Sequence, residues 1–298
     1  MGTEEANQTP TNWTVCNYAV SFIDLLGQRT KFADQGILPS FASDKEHQQF
    51  LTIVKESIGP IFALQRQADA MLRGFLKAQQ NSPRRAALPP QLRASFDELQ
   101  RTRITTQRWS DGLVSFVSLG DQTVKCPMNG IYCLFVLAGS HCLLGLAMQQ
   151  PLRGAIELAW GVELRDGELY GPVVARAYEL ETTAAQYPRI VEGPNVMQLL
   201  RSHSVNAGED LIAQQSRAFA KACLDILLED VDGQIIVHYL GPNFERDVFQ
   251  NKHAELYQKA RAFVAEQYDV HKKAKDTKLT FRYSQLLTYF EVHPPTIK

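Results

Sequence analysis

The stretch SFIDLLGQRTKF, residues 21–32, ends an apolar run with a single acid, Asp24, followed by a glycine at position 27. The preceding segment YAVSFI (18–23) is rich in β-branched and aromatic residues, which predicts a buried strand over 15–24. A carboxylate at the end of such a strand is unfavourable unless a helix cap, an arginine or a metal ion pairs with it. The sequence therefore leaves three explanations for Asp24: it caps a helix beginning near Gly27, it pairs with an arginine, or it binds a metal ion.

A second acid, Asp111, lies in a predicted turn. RITTQRW (103–109) and LVSFVSL (113–119) predict two strands, and the Asp-Gly pair between them is a strong hairpin signal. If the first strand lies beside this hairpin, Asp24 and Asp111 come close together. Two hard oxygen ligands suit Mg²⁺ or Mn²⁺, and paired divalent ions support in-line displacement at phosphorus. Turn propensity alone also explains Asp111, so both explanations stay open.

The order of the predicted elements indicates the fold class. Strands and helices follow one another as β-α-β-β-α-β, and a long helical segment comes after the first strand. This order predicts an α+β, ferredoxin-like βαββαβ sandwich whose helices cover one face of the sheet. We expect a single domain with a core of about 15–192, a helical insertion at about 36–101 and a C-terminal helical extension at about 193–298.

Composition narrows the function classes. The chain has 298 residues, 45% of them hydrophobic, and a formal net charge of −1, which argues against a nucleic-acid-binding protein. Its five cysteines are odd in number and lack metal-binding spacing, so we expect reduced thiols in a cytoplasmic protein. The polar N-terminus predicts no signal peptide. Residues 130–148 contain no Asp, Glu, Lys or Arg, and we interpret them as a buried helix rather than a membrane span.

The residues that follow Asp24 are compatible with phosphate binding. Leu25-Leu26-Gly27-Gln28-Arg29 predicts a glycine turn that opens into a helix, where backbone N–H groups can cradle phosphates. Arg29 could clamp an anion. An ordinary helix start explains the same residues. The sequence contains no P-loop, dinucleotide-binding, HExxH or GxSxG motif.

Four motifs in this order carry a resemblance: FIDLLG (22–27), WSDGLVSFV (109–117), LRGAI (152–156) and YGPVVARAYELE (170–181). Together they resemble the catalytic domain of class III nucleotidyl cyclases. GQR after the aspartate, the helical insertion and AYELETTAAQYPRIV (177–191) resemble the bacterial Pycsar pyrimidine cyclases of phage defence. The resemblance implies conversion of UTP to 3′,5′-cyclic UMP and pyrophosphate. A cytidylate cyclase, a purine cyclase and a catalytically inactive nucleotide-binding scaffold are the alternatives.

The same resemblance implies roles for individual residues. Asp24 and Asp111 would each bind two Mn²⁺ or Mg²⁺ ions, with the carbonyl of Leu25 as a further ligand. The amides of Leu26, Gly27 and Gln28 would bind the β- and γ-phosphates. The active sites would form at a head-to-tail two-fold interface, so a homodimer would carry two. A separate effector would read the cyclic nucleotide, and we expect no nucleic-acid or membrane partner.

One departure from the family concerns the arginine that stabilises transition-state charge. Purine cyclases place an Asn and an Arg one turn apart where this chain has Ala175 and Glu179. A substitute must come from elsewhere, and strand alternation places Arg103 on the same face as Asp111. We therefore favour Arg103 over the other candidates, Arg29, Arg108 and Arg176.

A second departure concerns the base. The purine-reading positions fall on Gln107 and Glu168, which match neither the Lys/Asp pair for adenine nor the Glu/Cys pair for guanine. A glutamine offers both a donor and an acceptor, so Gln107 can pair with uracil or cytosine. A structural role on an exposed strand face explains Gln107 equally well.

Overall fold

The first half of the chain consists of one strand, a helical segment and a β-hairpin, in that order. The computed structural model describes residues 15–27, 40–81, 83–165 and 167–296. Strand β1 (Val15–Leu25) is followed by three helices within the predicted insertion: α1 (Asp44–Gln80), α2 (Pro83–Ala87) and α3 (Pro90–Gln100). The hairpin strands β2 (Thr105–Trp109) and β3 (Gly112–Ser118) come next. Residues 81–90, predicted as a loop, contain α2. The helix predicted to begin near Gly27 lies outside the described residues.

The second half completes the sheet and surrounds it with helices. Helix α4 (Pro127–Ala147) leads into the long strand β4 (Leu152–Arg165) and the short strand β5 (Glu168–Tyr170). Helix α5 (Pro172–Ala184) begins at a proline, whose fixed φ suits the first helical turn. The elements that follow are β6 (Ile190–Glu192), α6 (Pro194–Ser204), α7 (Leu211–Leu224), β7 (Leu227–Glu229), β8 (Ile235–Val237), α8 (His253–Lys273) and α9 (Thr277–Val292). The predicted α+β class is confirmed.

One sheet runs through the described residues in the order β2-β3-β1-β4-β6-β8-β7, with β5 paired to β4 off this path. Strand β1 lies between β3 and β4 and is antiparallel to both. Its last residues pair in register with the start of each neighbour, so that Asp24 lies opposite Gly112 on β3 and opposite Arg153 on β4. The end of β1, the hairpin turn and the start of β4 therefore lie next to one another, at the same end of the three strands.

Helices pack on both faces of the sheet, which corrects the expectation of one covered face. Alternate residues of β1 enter two cores: Ala19 and Ile23 pack with α4, and Val20 and Phe22 pack with α5. Because both faces are covered, the run from Tyr18 to Ile23 is buried throughout, which explains why all of its residues except Ser21 are apolar or aromatic.

The region after residue 192 is not only helical. The sequence predicts a single further strand here, QIIVHYL (234–240), which contains β8, but β7 is a second strand, and both join the sheet through β6. The sequence also predicts Asn243 as the cap of the long helix that follows, but α8 begins ten residues later, at His253. The Asn243 side chain instead donates to the carbonyl of Asp225 at 2.6 Å.

Helix α4 is the apolar segment that resembles a membrane span. Among the described residues it alone is long and apolar enough to cross a bilayer, and 83% of its apolar window is buried inside the fold. This burial is that of a core helix between the sheet and the neighbouring helices.

Candidate functional site

Asp24 and Asp111, 87 positions apart in the sequence, line one cleft of about 600 Å³. Asp24 lies opposite Gly112 in the β1–β3 ladder, and Asp111 is the residue before this glycine. Leu25, Leu26 and Gly27 line the cleft from the β1 side. The juxtaposition of the two acids, which the sequence predicted from the hairpin, is thus present in the fold.

The geometry of the hairpin places Asp111. The two turn residues are Ser110 and Asp111, and Ser110 adopts the left-handed conformation with φ 57°. Gly112 belongs to β3, not to the turn as the Asp-Gly signal predicted. A Cβ atom at Gly112 would lie 2.7 Å from the carbonyl oxygen of Ile23, so the glycine permits close approach of β3 to β1. This approach brings Asp111 beside Asp24.

A third carboxylate, Glu181 of α5, lies in the same cleft. Its side chain is buried, and burial is the main cause that raises its pKa to about 7. The nearby Arg153 opposes this rise, whereas the charges of Asp24 and Asp111 add to it. Glu181 therefore interacts electrostatically with both aspartates, and three acidic residues line one cleft.

Arg153 at the start of β4 is the one basic residue among the described residues that line this cleft. It lies opposite Asp24 in the sheet and forms an ion pair with Glu181 through its Nε atom. Its Nη1 atom donates to the carbonyl oxygen of Ala185 at 3.2 Å. The guanidinium is thus held between the sheet and the C-terminal end of α5.

Sequence reasoning missed both Arg153 and Glu181, although each lies in a motif quoted above. Each residue nevertheless has a sequence feature that could have identified it. Arg153 is a lone basic residue in the apolar strand segment LRGAI, and Glu181 shares the helical spacing of Val174 and Ala177, which are buried on α5. A charged residue at a position that the pattern assigns to the core is a candidate for a functional or paired group.

The donor set of the cleft fits a hard cation. In the described ranges, no three His, Cys, Asp or Glu side chains form a group that could hold a metal ion by themselves. Two carboxylates with a backbone carbonyl are nevertheless the kind of partial site at which Mg²⁺ or Mn²⁺ keeps water and takes phosphate oxygens as its other ligands. Asp24, Asp111 and Leu25 can provide such a set.

The predicted phosphate-binding turn is only partly available. Gly27 has φ 84°, a left-handed conformation that favours glycine, and it lines the cleft. The N–H of Leu26 donates to the carbonyl of Pro151 at 2.9 Å, so this amide is already paired within the chain, contrary to the expectation that it binds phosphate. Gln28 and Arg29 lie outside the described residues.

None of the candidate arginines that the structure describes is among the residues that line the acid cleft. Arg103 precedes β2, so strand alternation does not determine which face of the sheet its side chain lies on. Its guanidinium forms an ion pair with Glu163 at 3.7 Å. Arg108 donates to Gln65 and lies over the ring of Phe62 at 4.5 Å, against α1. Arg176 lines a different cavity of about 420 Å³. The preference for Arg103 is therefore not supported.

Gln107 and Glu168, the predicted base-reading residues, lie together but outside the acid cleft. The Gln107 Oε1 atom accepts a hydrogen bond from the N–H of Leu169 at 3.0 Å, the residue next to Glu168. This bond uses the acceptor of the Gln107 amide and leaves its NH₂ group as the donor. Glu168 is exposed at the start of β5.

An apolar groove of about 770 Å³ adjoins the acid cleft, and Trp109 and Tyr178 line both. Both rings contact Phe22 edge-on, with centroid distances of 6.4 and 5.4 Å. Trp160 and Tyr170 line the groove further out, with exposures of 51% and 69%. An aromatic surface this exposed beside a polar cleft is typical of a binding or interaction surface.

In comparisons with known proteins, no family model matches the chain, and neither a curated protein nor a solved structure does so. The functional conclusion rests on the cleft and on the motifs that form it.

Proposed function

We propose that the protein is a metal-dependent pyrimidine nucleotide cyclase that converts UTP to 3′,5′-cyclic UMP and pyrophosphate. The observation that carries this proposal is the meeting of Asp24 and Asp111 in one cleft at the ends of neighbouring strands. The order β2-β3-β1-β4, with each strand antiparallel to its neighbour, supports a ferredoxin-like core of the nucleotidyl cyclase type.

Each part of the cleft has a role in this reaction. Asp24, Asp111 and the Leu25 carbonyl would hold two Mg²⁺ or Mn²⁺ ions, which lower the pKa of the ribose 3′-hydroxyl and neutralise charge on the pyrophosphate leaving group. Gly27, in the left-handed conformation, lines the cleft beside the acids, where its backbone could approach a phosphate chain closely. Little covalent chemistry falls to the protein, whose side chains position the triphosphate and balance its charge.

A homodimer with shared active sites fits the surfaces around the cleft. The exposed aromatic groove continues from the cleft, and aromatic residues are enriched at protein interfaces. Gln107 and Glu168 lie outside the acid cleft of their own chain. In a head-to-tail dimer they would face the base of a nucleotide bound by the aspartates of the other copy.

The polar groups at this position suit a pyrimidine. The Gln107 amide offers its NH₂ donor, and the Glu168 carboxylate offers an acceptor. Uracil presents O4 as an acceptor beside the N3–H donor, and cytosine presents N3 beside its N4 amino group. The pair accepts both bases, so cyclic CMP is the alternative product of the same site.

One observation favours a different function, a catalytically inactive nucleotide-binding scaffold. Ala175 and Glu179 occupy the positions where the family carries its Asn and Arg, and both are exposed on α5. Loss of these two side chains is expected of a cyclase relative that has lost turnover. The retained pair of aspartates argues for activity.

The biological role follows from the resemblance of the motifs and the insertion to phage-defence cyclases. The cyclic nucleotide would act as a second messenger in the bacterial cytoplasm and would be read by a separate effector.

The experiment that tests the proposal is incubation of the purified protein with all four ribonucleoside triphosphates and Mn²⁺, followed by mass identification of the products. A cyclic pyrimidine nucleotide supports the proposal. A cyclic purine nucleotide shows a purine cyclase with an unusual site. Complete recovery of the triphosphates with measurable binding supports the inactive scaffold.

A further inference from the structure

We propose that helix α1 of the insertion holds in place the hairpin turn that carries Asp111, and that Arg108 is the positioning residue that connects the helix to the turn. The inference rests on the proposed function, because it takes Asp111 as a metal ligand of that site. It gives the helical insertion a role in the site, although no residue of α1 is among the described residues that line the acid cleft.

The position of Arg108 near the turn is the first support. Strand β2 lies at the edge of the sheet, with β3 as its only strand neighbour among the described residues, and Arg108 lies three residues before Asp111. Ser110 adopts a left-handed conformation with φ 57°, which is unfavourable for a residue other than glycine. A strained turn at the end of an edge strand has little backbone support, so side-chain contacts on the faces of the sheet must help to hold it.

The contacts between Arg108 and α1 are the second support. The Nε and Nη2 atoms of Arg108 both donate to the Oε1 atom of Gln65, the first at 2.7 Å. The guanidinium carbon also lies 4.5 Å from the centre of the Phe62 ring, one turn earlier on α1. Two donors on one acceptor, together with a cation–π contact, hold the guanidinium in one orientation against the helix. Arg108 therefore fixes the end of β2 to α1.

Apolar packing of α1 against the same hairpin is the third support. Leu64 and Ala68 of α1 are buried in one core with Leu113 of β3. Leu113 is the residue opposite Arg108 in the β2–β3 ladder, so the two side chains lie on the same face of the sheet. Helix α1 thus contacts both strands of the hairpin, β3 through the core and β2 through Arg108.

A different contact holds the other face of the hairpin end. Trp109 follows Arg108 and by strand alternation lies on the opposite face, where its ring contacts Phe22 of β1 edge-on at 6.4 Å. Phe22 belongs to the core that packs with α5. The end of β2 is therefore held from both faces. Loss of the Arg108 contact should leave it held from one face only, so that the turn and Asp111 move more.

A purely local surface contact predicts a different result. In that case loss of Arg108 would affect α1 alone, and the hairpin would keep both its ladder and its metal affinity. If Arg108 holds the turn, the hairpin amides should exchange faster and Mn²⁺ should bind more weakly, while the rest of the fold is unchanged.

The experiment combines hydrogen–deuterium exchange of the hairpin amides, residues 105–116, with calorimetric titration of Mn²⁺, both on the whole chain without nucleotide. The proteins are wild type, Arg108→Ala, Arg108→Lys, Gln65→Ala and the double alanine variant, with thermal unfolding of each as a folding check. The amides of the core helix α4 are the internal reference, because their exchange reports opening that does not involve the hairpin.

We expect Arg108→Ala to accelerate exchange of the hairpin amides by roughly fivefold or more, as for the loss of one hydrogen-bonded and cation–π contact, and to weaken Mn²⁺ binding by a similar factor. Gln65→Ala should act in the same direction, and the double variant should be no worse than Arg108→Ala, because the two residues share one contact. Arg108→Lys should recover part of both effects, since it keeps the charge over Phe62 but not the fork.

Arg85→Ala is the matched control, because its ion pair joins α2 to α3 within the insertion. It should leave hairpin exchange and Mn²⁺ affinity unchanged. Values within twofold of wild type in both Arg108→Ala and Gln65→Ala overturn the proposal, as does equal acceleration by Arg85→Ala. Faster exchange with native Mn²⁺ affinity also overturns it, since the held turn would then not position Asp111.

Failure of the proposed function is a separate result. If wild type binds Mn²⁺ but makes no cyclic nucleotide, the cyclase function fails, while exchange and Mn²⁺ affinity still judge Arg108. If wild type does not bind Mn²⁺, the assignment of Asp111 as a ligand is wrong, and so is the role given to Arg108. If Arg108→Ala does not fold, Gln65→Ala and Arg108→Lys decide, and native exchange in both overturns the proposal.

Discussion

Asp24 pairs with Gly112 across the β1–β3 ladder, which places the hairpin turn at the end of β1. The acid of the turn and the acid that ends the strand are therefore neighbours by backbone geometry. The arrangement needs a glycine at 112, because the carbonyl of Ile23 occupies the space of a side chain.

Gly112→Ala should impair both the fold and the activity. Its Cβ atom would lie 2.7 Å from one backbone oxygen and 3.2 Å from another, so β3 must shift away from β1 and carry Asp111 with it. We expect a loss of about 1–3 kcal/mol in the free energy of unfolding, as for overpacking elsewhere. We also expect weaker Mn²⁺ binding, so that turnover needs a higher Mn²⁺ concentration. Urea unfolding and metal titration measure the two effects.

Gly74→Ala is the matched control. Gly74 lies in α1, and a Cβ atom added to it would meet no other atom within 4 Å, so alanine should stabilise the helix slightly. Native stability and native metal dependence in Gly112→Ala would show that close approach of the strands does not position Asp111.

Loss of Arg189 should destabilise the sheet. Arg189 is almost completely buried and pairs with Asp230 and Asp232, each at 2.5 Å, which ties β6 to the turn between β7 and β8. Arg189→Met would leave the Asp230 carboxylate buried without its cation, so we expect a loss of about 3–5 kcal/mol. Chemical denaturation checks this value.

The exposed pair between Arg85 and Asp97 provides the comparison. Arg85→Met should leave stability unchanged within error, because water screens a surface ion pair. An equally small effect for Arg189→Met would mean that its network contributes nothing net to folding.

Protonation of His141 should lower the stability of the protein at acidic pH. Burial of this histidine in α4 lowers its pKa from 6.5 to about 4, so the folded state resists its protonation. Above about pH 6.5, His141 is neutral in both the folded and the unfolded state and does not reduce stability. As the pH falls towards 4, the unfolded state takes up the proton first, and the free energy of unfolding falls by roughly 3 kcal/mol in all.

The test is the difference in unfolding free energy between wild type and His141→Leu from pH 7 to pH 4, which cancels the acids common to both. The stability of wild type relative to the variant should fall over this range. A difference that does not vary with pH would contradict the assignment.

Activity should require association of two chains. Trp160→Ala with Tyr170→Ala removes two exposed rings from the apolar groove without touching the residues that line the acid cleft. We expect a shift to monomer in sedimentation and a parallel fall in specific activity. Phe281→Ala, an equally exposed aromatic on α9, should alter neither. A monomer with native specific activity would exclude a shared site.

The convergence of Asp24 and Asp111 was predictable because both signals are local. A continuous apolar run predicts a buried strand, and two alternating runs around Asp-Gly predict a hairpin. Topology rules then place the first strand beside the hairpin. The exact turn was not predictable, since the glycine serves strand approach instead of turn geometry.

The partnership of Arg153 with Glu181 was not predictable, since it depends on the register of β4 against β1 and on how α5 packs. Strands β5 and β7 each have three residues, too few to show an alternating pattern. The preference for Arg103 relied on strand alternation, and β2 begins at Thr105, so that argument does not extend to Arg103.

The most direct test of the central claim is the mass of the product that wild type, Asp24→Ala and Asp111→Ala make from UTP and CTP with Mn²⁺. Wild type should yield a cyclic pyrimidine nucleotide and pyrophosphate. Each alanine variant should lose roughly a thousandfold or more in rate while its thermal unfolding stays native, because the metal ligands are removed. Asp97→Ala, at an exposed acid of the insertion, should retain full activity. No cyclic pyrimidine product from wild type, or a near-native rate in either alanine variant of the cleft, would contradict the account.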